Sequence, residues 1–125
     1  MASILSIGVD KKALADRQRV LREAGFEVVS SGLDDSLDVL ARSTRFRVAI
    51  FGPSVPEEAR NRIAAKLIRS SPQIKIVMLY EGKIRKAEMA NAVLASAVRP
   101  KDLVQTIRYL TESPAIEQQG EGQSA

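Results

Sequence analysis

Short runs of apolar and β-branched residues recur along this chain, and helical patterns separate them. Residues 3–9 form an apolar run that closes near Gly8, the pattern of a strand buried on both faces. Asp10 then precedes a stretch in which Leu14, Val20 and Leu21, with Ala13, Arg17 and Ala24, share one face of a helix. Gly25 stands where a left-handed C-cap belongs. Residues 26–30 alternate in part and are rich in β-branched side chains, predicting a second strand closed by Ser31 and Gly32. Asp34 or Asp35 is placed to cap a helix carrying Leu37, Leu40 and Ala41, with Val39 off that stripe.

The alternation continues. Residues 45–51 predict a third strand, followed by Gly52 and Pro53. Ser54 and Glu57 have the spacing of a capping box, which opens a helix running to about Arg69. Ser71, Pro72 and Gln73 make a turn, and residues 74–79 are the strongest strand signal in the chain. After Tyr80, Glu81 and Gly82 the pattern predicts a fourth helix carrying Ala87, Met89, Ala90 and Ala92. Residues 94–98 predict a fifth strand, because the stretch ends at Arg99 and Pro100 and the residue before a proline is held extended. A fifth helix carries Leu103, Ile107 and Leu110. From Ser113 the chain is too polar to repay the entropy of ordering, so residues 113–125 read as a disordered tail behind one domain at 1–112. Five strands alternating with five helices imply a parallel sheet inside a three-layer α/β/α sandwich. Such sheets place functional groups at the carboxyl ends of their strands, here in the loops that start at Gly8, Phe51, Tyr80 and Val98.

Composition narrows the chemistry. The chain has 125 residues, the size of one domain with one core. It contains no cysteine and no histidine, which removes disulfides, thiolate nucleophiles, histidine bases and the common zinc sites. No run approaches the roughly 20 apolar residues of a membrane span, and the first residues lack the basic start of a secretory leader, so a cytoplasmic location is expected. The formal net charge is +4, and residues 113–125 hold two acids, Glu117 and Glu121, and no base. The remainder is therefore more basic than the whole, which favours acidic partners unless the charges only keep helix surfaces wet.

Two stretches carry a resemblance: Arg-Val-Leu-Arg-Glu-Ala-Gly-Phe-Glu-Val-Val at residues 19–29 and Arg-Pro-Lys-Asp-Leu-Val-Gln-Thr-Ile at residues 99–107. With the order of elements, the chain resembles the receiver domains of bacterial response regulators over residues 3 to about 111. The resemblance implies the flavodoxin-like receiver topology, strand order 2-1-3-4-5. In that family an acidic pair ending the first strand holds magnesium and an aspartate ending the third strand accepts a phosphoryl group, because the metal needs oxygen ligands and must offset the charge of the phosphate. Here the pair falls on Gly8 and Val9, and the acceptor position on Phe51 or, one residue later, Gly52. Neither can form an acyl phosphate, and no Asp or Glu occurs between Asp38 and Glu57 to rescue the register. Asp10 is adjacent but displaced and suits a helix cap; Ser54 is the nearest hydroxyl to the acceptor position. The family's small hydroxyl residue is replaced by Tyr80, its aromatic switch residue by Ser96, and its lysine by Arg99. Arg99 remains able to bind an anion, to pair with Asp10 or Glu81, or to point to water.

These observations imply a stand-alone pseudo-receiver that signals through a protein partner in two-component transduction, with no catalytic role, no cofactor and no metal. The partner is a histidine kinase, a regulator or another signalling protein, and a homodimer is left open. The face that receivers commonly use carries Lys83, Arg85, Lys86, Arg99, Lys101 and Arg108 against Glu81, Glu88 and Asp102, and is net basic. A competing reading is a small nucleotide- or anion-binding protein on the same fold, although no phosphate-cradling glycine loop occurs. Another is nucleic-acid binding through Arg60, Arg62, Lys66 and Arg69 on one helix, disfavoured by an aromatic content of only 4%.

Overall fold

A computed structural model describes residues 2–42, 45–83 and 87–112. The elements run β1 (Ser3–Ile7), α1 (Lys11–Glu23), β2 (Glu27–Ser31), α2 (Asp35–Ala41), β3 (Phe46–Phe51), α3 (Glu57–Ser70), β4 (Lys75–Tyr80), β5 (Ala92–Ala95) and α4 (Pro100–Glu112). All five strands are parallel in the order β2-β1-β3-β4-β5. Helices cover both faces, as right-handed crossovers require. Among the described residues no helix is long and apolar enough to cross a membrane.

Local chemistry explains most element ends. Asp10 caps α1, its Oδ1 accepting from the amides of Lys12 at 3.0 Å and Ala13 at 3.3 Å. The other end of α1 closes in a Schellman motif: Gly25 takes φ of +99°, its amide donates to Arg22 O at 3.0 Å, and the Phe26 amide donates to Leu21 O at 3.1 Å. Asp34 precedes α2, with Leu37 and Ala41 buried and Val39 exposed.

Strand alternation sorts the core into two halves. Leu5, Ile7, Ala49, Phe51, Ile76 and Met78 face Leu37 of α2 and Ile63, Ala64 and Leu67 of α3. Ile4, Val48, Ile50, Val77 and Leu79 face Leu21 of α1 and Leu103, Ile107 and Leu110 of α4. In register, Ile7 lies opposite both Ser31 and Phe51, so the ends of β1, β2 and β3 are flush. That alignment brings Gly8 beside Gly52.

Three expectations are corrected. The helix predicted around Ala87, Met89, Ala90 and Ala92 is not found among the described residues: 87–91 form turns, Ala92 opens β5, and 84–86 lie outside the described residues. Four helices rather than five are therefore described. The small side chains Ala87 and Ala90, with Met89, pack on the α2–α3 side of the core without needing a helix to carry them. The fifth strand runs over Ala92–Ala95 instead of 94–98, because Asn91 locks the register two residues early. The Asn91 amide donates to Ile76 O at 2.7 Å, and Asn91 Oδ1 accepts from the Ile76 amide at 2.7 Å. The capping box at Ser54 and Glu57 does not form either. Pro56 precedes α3 at φ −60°, no side chain caps the first turn, and Ser54 is exposed in the turn before it. Glu57 and Glu58 still place negative charge at the positive end of the helix dipole. The tail predicted at 113–125 lies outside the described residues.

Asn91→Ala removes the side chain that meets the Ile76 amide across the start of β5. A loss of about 1–2 kcal/mol in urea denaturation is expected, the usual cost of stranding one partly buried donor.

Candidate functional site

Gly8 and Gly52 leave space where β1 and β3 end, and Arg17 fills it. Residue 17 is three positions from Leu14 and four from Leu21, on the face of α1 that packs against the sheet. Its side chain crosses Ser6 and is only 8% exposed. Arg17 Nε donates to Ser6 Oγ at 3.0 Å. A Cβ on Gly8 would lie 3.3 Å from Arg17 Nη2, and one on Gly52 would lie 3.1 Å from it and 3.3 Å from Ile7 O. The two glycines are thus the room the guanidinium occupies. The Gly52 amide donates to Ile7 O at 2.8 Å and the Gly8 amide to Ser31 O at 3.0 Å, which holds the three strand ends together.

A second arginine reaches the same glycine from the other side of the sheet. Arg60, in the first turn of α3, is 1% exposed. Its Nε donates to Val55 O at 2.9 Å, and its Nη2 donates to Gly52 O at 2.9 Å and Leu79 O at 2.6 Å. The guanidinium stacks 4.2 Å from the centroid of the Tyr80 ring. Nη1 is buried with no hydrogen-bond partner among the described residues. A hollow of about 320 Å³ adjoins it, lined by Pro53, Val55, Glu57, Arg60, Tyr80, Glu81 and Lys83. Among the described residues neither Arg17 nor Arg60 forms an ion pair. Burial holds the Arg17 guanidinium below its ordinary value.

The other candidate residues are more scattered. Val9 is exposed, and Asp10 is occupied with the α1 cap. Phe51 is fully buried in the half of the core that faces α2 and α3, while Gly52 lies on the far side of the strand end, beside Arg17. Tyr80 is buried under Arg60, its hydroxyl 3.5 Å from both Glu57 carboxylate oxygens. Ser96 follows β5 in a turn instead of lying within the strand, and its amide donates to Tyr80 O at 2.7 Å. Arg99 pairs with neither Asp10 nor Glu81. Its side chain is 71% exposed and its Nε meets Asp102 Oδ2 at 2.9 Å, because Asp102 sits three residues on at the start of α4. Lys83 and Lys101 are exposed, and Arg85 and Lys86 lie outside the described residues. Arg108 is turned to α1, donating to Ala24 O at 3.0 Å over the Phe26 ring. The proposed basic face of α3 loses its first member, since Arg60 points inward while Arg62, Lys66 and Arg69 stay exposed. Among the described residues no three acidic, cysteine or histidine side chains gather as a metal site.

Sequence reasoning passed over Arg17 as a site residue and read Arg60 only as part of an exposed basic helix face. One signal was present: each interrupts an apolar stripe, Arg17 between Leu14 and Leu21, and Arg60 beside Ala59, Ile63, Ala64 and Leu67.

This architecture has close counterparts among solved structures. A CheY-like receiver domain protein from Methanospirillum hungatei matches with a TM-score of 0.76 and 20% identity, covering 94% of this chain and 98% of that one. The fold is the receiver fold. A response regulator receiver domain protein from Clostridium thermocellum superposes at 0.77 with 20% identity, over 93% of this chain and 98% of its own. The chemotaxis protein CheY4 of Vibrio cholerae superposes at 0.73 with 21% identity, over 88% and 98%. No family model matches the sequence, and no curated protein does. The receiver fold is thus carried by a sequence whose carboxyl-end loops hold glycines and arginines.

The two arginines should respond unequally to removal. Arg60→Met strands three carbonyl groups and should cost about 2–4 kcal/mol in chemical denaturation. Arg17→Met gives up one bond to Ser6 but also an uncompensated buried charge, so stability should stay within about 1 kcal/mol of the parent. The sign of the linkage agrees: a base depressed on folding disfavours the folded state while charged, and that penalty lifts only as pH rises through the depressed value. No Arg17-dependent change in stability is therefore expected across neutral pH.

Proposed function

We propose that this chain is a pseudo-receiver: a signalling module of two-component transduction that acts by docking on a protein partner, without phosphoryl transfer to an aspartate. The observation that carries this reading is a guanidinium, from Arg17, lodged between Gly8 and Gly52 at the strand ends. Of the two positions that the resemblance offers for the acceptor, Phe51 is directed into the core and Gly52 has no side chain. An acyl phosphate needs a carboxylate, and a magnesium ion needs several oxygen ligands. Gly8, Val9 and Gly52 supply none, and the cation already lodged there would repel a metal ion.

Signalling then rests on the surface. Lys83 and Lys101 are exposed on the side of β4, β5 and α4, and they support a partner with an acidic face. Arg108 is withdrawn from that set, being committed to the end of α1. The partner class that fits is a kinase, regulator or other protein of the same signalling system.

Incubation with acetyl phosphate and magnesium should leave the intact mass unchanged. Addition of a phosphoryl mass that is labile to hydroxylamine would overturn the proposal. The double reversal Lys83→Glu with Lys101→Glu should keep the melting temperature, since both side chains face solvent, and weaken capture of the partner from the native cell at least tenfold. Undiminished capture would move the docking face elsewhere.

A further inference from the structure

Helices α2 and α3 cover the same half of the core, and both end at the amino edge of the sheet, where β3 and β4 begin. That edge is the opposite one from Gly8, Gly52 and Tyr80. Lys66 Nζ meets Asp38 Oδ1 at 3.5 Å and bridges the two helices. Just past the end of α2 stands Arg42, and in the last turn of α3 stands Arg69. Both line a hollow of about 410 Å³ between the helix ends, over the buried Ala41. We propose that this face docks an acidic helical segment of a protein partner, one carboxylate entering the hollow between Arg42 and Arg69 and a second meeting Arg62.

Charge on this face is unbalanced. Asp38 is the one carboxylate among the described residues that line the hollow, and it is already engaged with Lys66. Arg42 gives its Nε to Asp38 O at 3.3 Å, which fixes the root of the fork and leaves its terminal nitrogens without a described acceptor. Arg62, Lys66 and Arg69 follow one another at helical spacing and are all exposed. Arg62 and Arg69 enter no ion pair among the described residues. The carbonyl ends of the helices favour a cation at Arg42 and at Arg69 taken singly. They do not account for Arg62, nor for two guanidiniums raising the potential of one hollow, which a carboxylate between them would lower. Glu58, exposed one turn before Arg62, ends the basic row. The row therefore spans about 10 Å, two turns of helix.

The surroundings favour a protein over a nucleic-acid backbone. Val39 lies three residues before Arg42, on the same outer surface of α2, and is 65% exposed. An apolar side chain there adds contact area to a peptide and nothing to a phosphate chain. Asp38 repels phosphodiesters but can accept from an N–H of a peptide. With an aromatic content of 4%, base stacking has little to work with. Two neighbouring helices also offer the trough in which an amphipathic helix docks, its carboxylates meeting arginine forks in two-point contacts. This inference rests on the reading of the chain as a docking module only in taking the ligand to be a protein, and it uses neither Lys83 nor Lys101.

The test uses the full chain at low ionic strength and a fluorescent alanine-rich helical peptide, with two glutamates at the spacing of Arg62 and Arg69 and a leucine on the same face. Its glutamine counterpart and an oligothymidylate of equal charge are the comparison ligands. Saturable binding of the glutamate peptide is expected, weakening as salt is raised, with the glutamine peptide and the oligothymidylate each at least tenfold weaker. Arg42→Gln with Arg69→Gln should keep the melting temperature and weaken the peptide at least tenfold. Lys12→Gln with Arg19→Gln, which removes the same charge from exposed positions on α1, should leave binding intact. Val39→Asn should weaken the peptide and leave the oligothymidylate unchanged. Tighter binding of the oligothymidylate would assign the face to nucleic acid and reject the proposal. Equal losses in the two double variants would reduce it to net charge, and no saturable binding of the glutamate peptide would also reject it. None of these outcomes alters the mass reading with acetyl phosphate, so a failure here is distinct from a failure of the pseudo-receiver reading.

Discussion

The guanidinium of Arg60 ties the connection between β3 and α3 to the end of β4. Three carbonyls accept from it: Gly52 and Val55 on the connection from β3 to α3, and Leu79 near the end of β4. The start of α3, which no side chain caps, depends on that anchoring, and so does the burial of Tyr80 beneath the same group. Only arginine offers five donors in one rigid plane, so no other residue type could hold three carbonyls from the middle of an apolar stripe. The cost is a buried positive charge, and the carbonyl dipoles around it offset part of that cost.

Charge is distributed against the usual pattern. The ion pairs of Lys12 with Asp16, Arg19 with Glu23, Lys66 with Asp38 and Arg99 with Asp102 all lie at the surface, where such pairs add little stability. The two buried guanidiniums have none among the described residues. Glycine and arginine are coupled in this arrangement, since any side chain at position 8 or 52 would crowd the Arg17 fork. The positions without side chains at the strand ends are therefore the space that another charged group requires.

Features set by neighbours in the chain were legible beforehand. Asp10 as a cap and Gly25 as a left-handed terminus depend on contacts within a few residues, and both are found. The small-residue stretch from Ala87 to Ala97 was ambiguous because alanine suits a helix and a tightly packed strand alike; the bonds between Asn91 and Ile76, fifteen residues apart, settled it. Ser54 and Glu57 had the spacing of a capping box, but Pro53 and Pro56 steer the backbone, and the Tyr80 hydroxyl faces the carboxylate. At Arg99 the sequence offered an anion, Asp10, Glu81 or water, and the structure pairs it instead with Asp102, three residues on in α4.

The sequence by itself determined the number and type of the strands, the three-layer parallel architecture and the missing carboxylates at positions 8, 9, 51 and 52, because hydrophobic period and side-chain inventory are properties of the chain alone. Only the tertiary structure decided which charges lie inside. A helix face is buried or exposed according to what packs on it, and the fate of Arg17 and Arg60 was set by glycines and carbonyls that are distant in sequence and adjacent only once β1, β3 and β4 are aligned. Long arginine side chains can follow an apolar surface either outward to water or inward to unsatisfied carbonyls, and local pattern does not distinguish the two. The candidate site belongs to that second class of information: it exists because three strand ends are flush, which no single segment encodes.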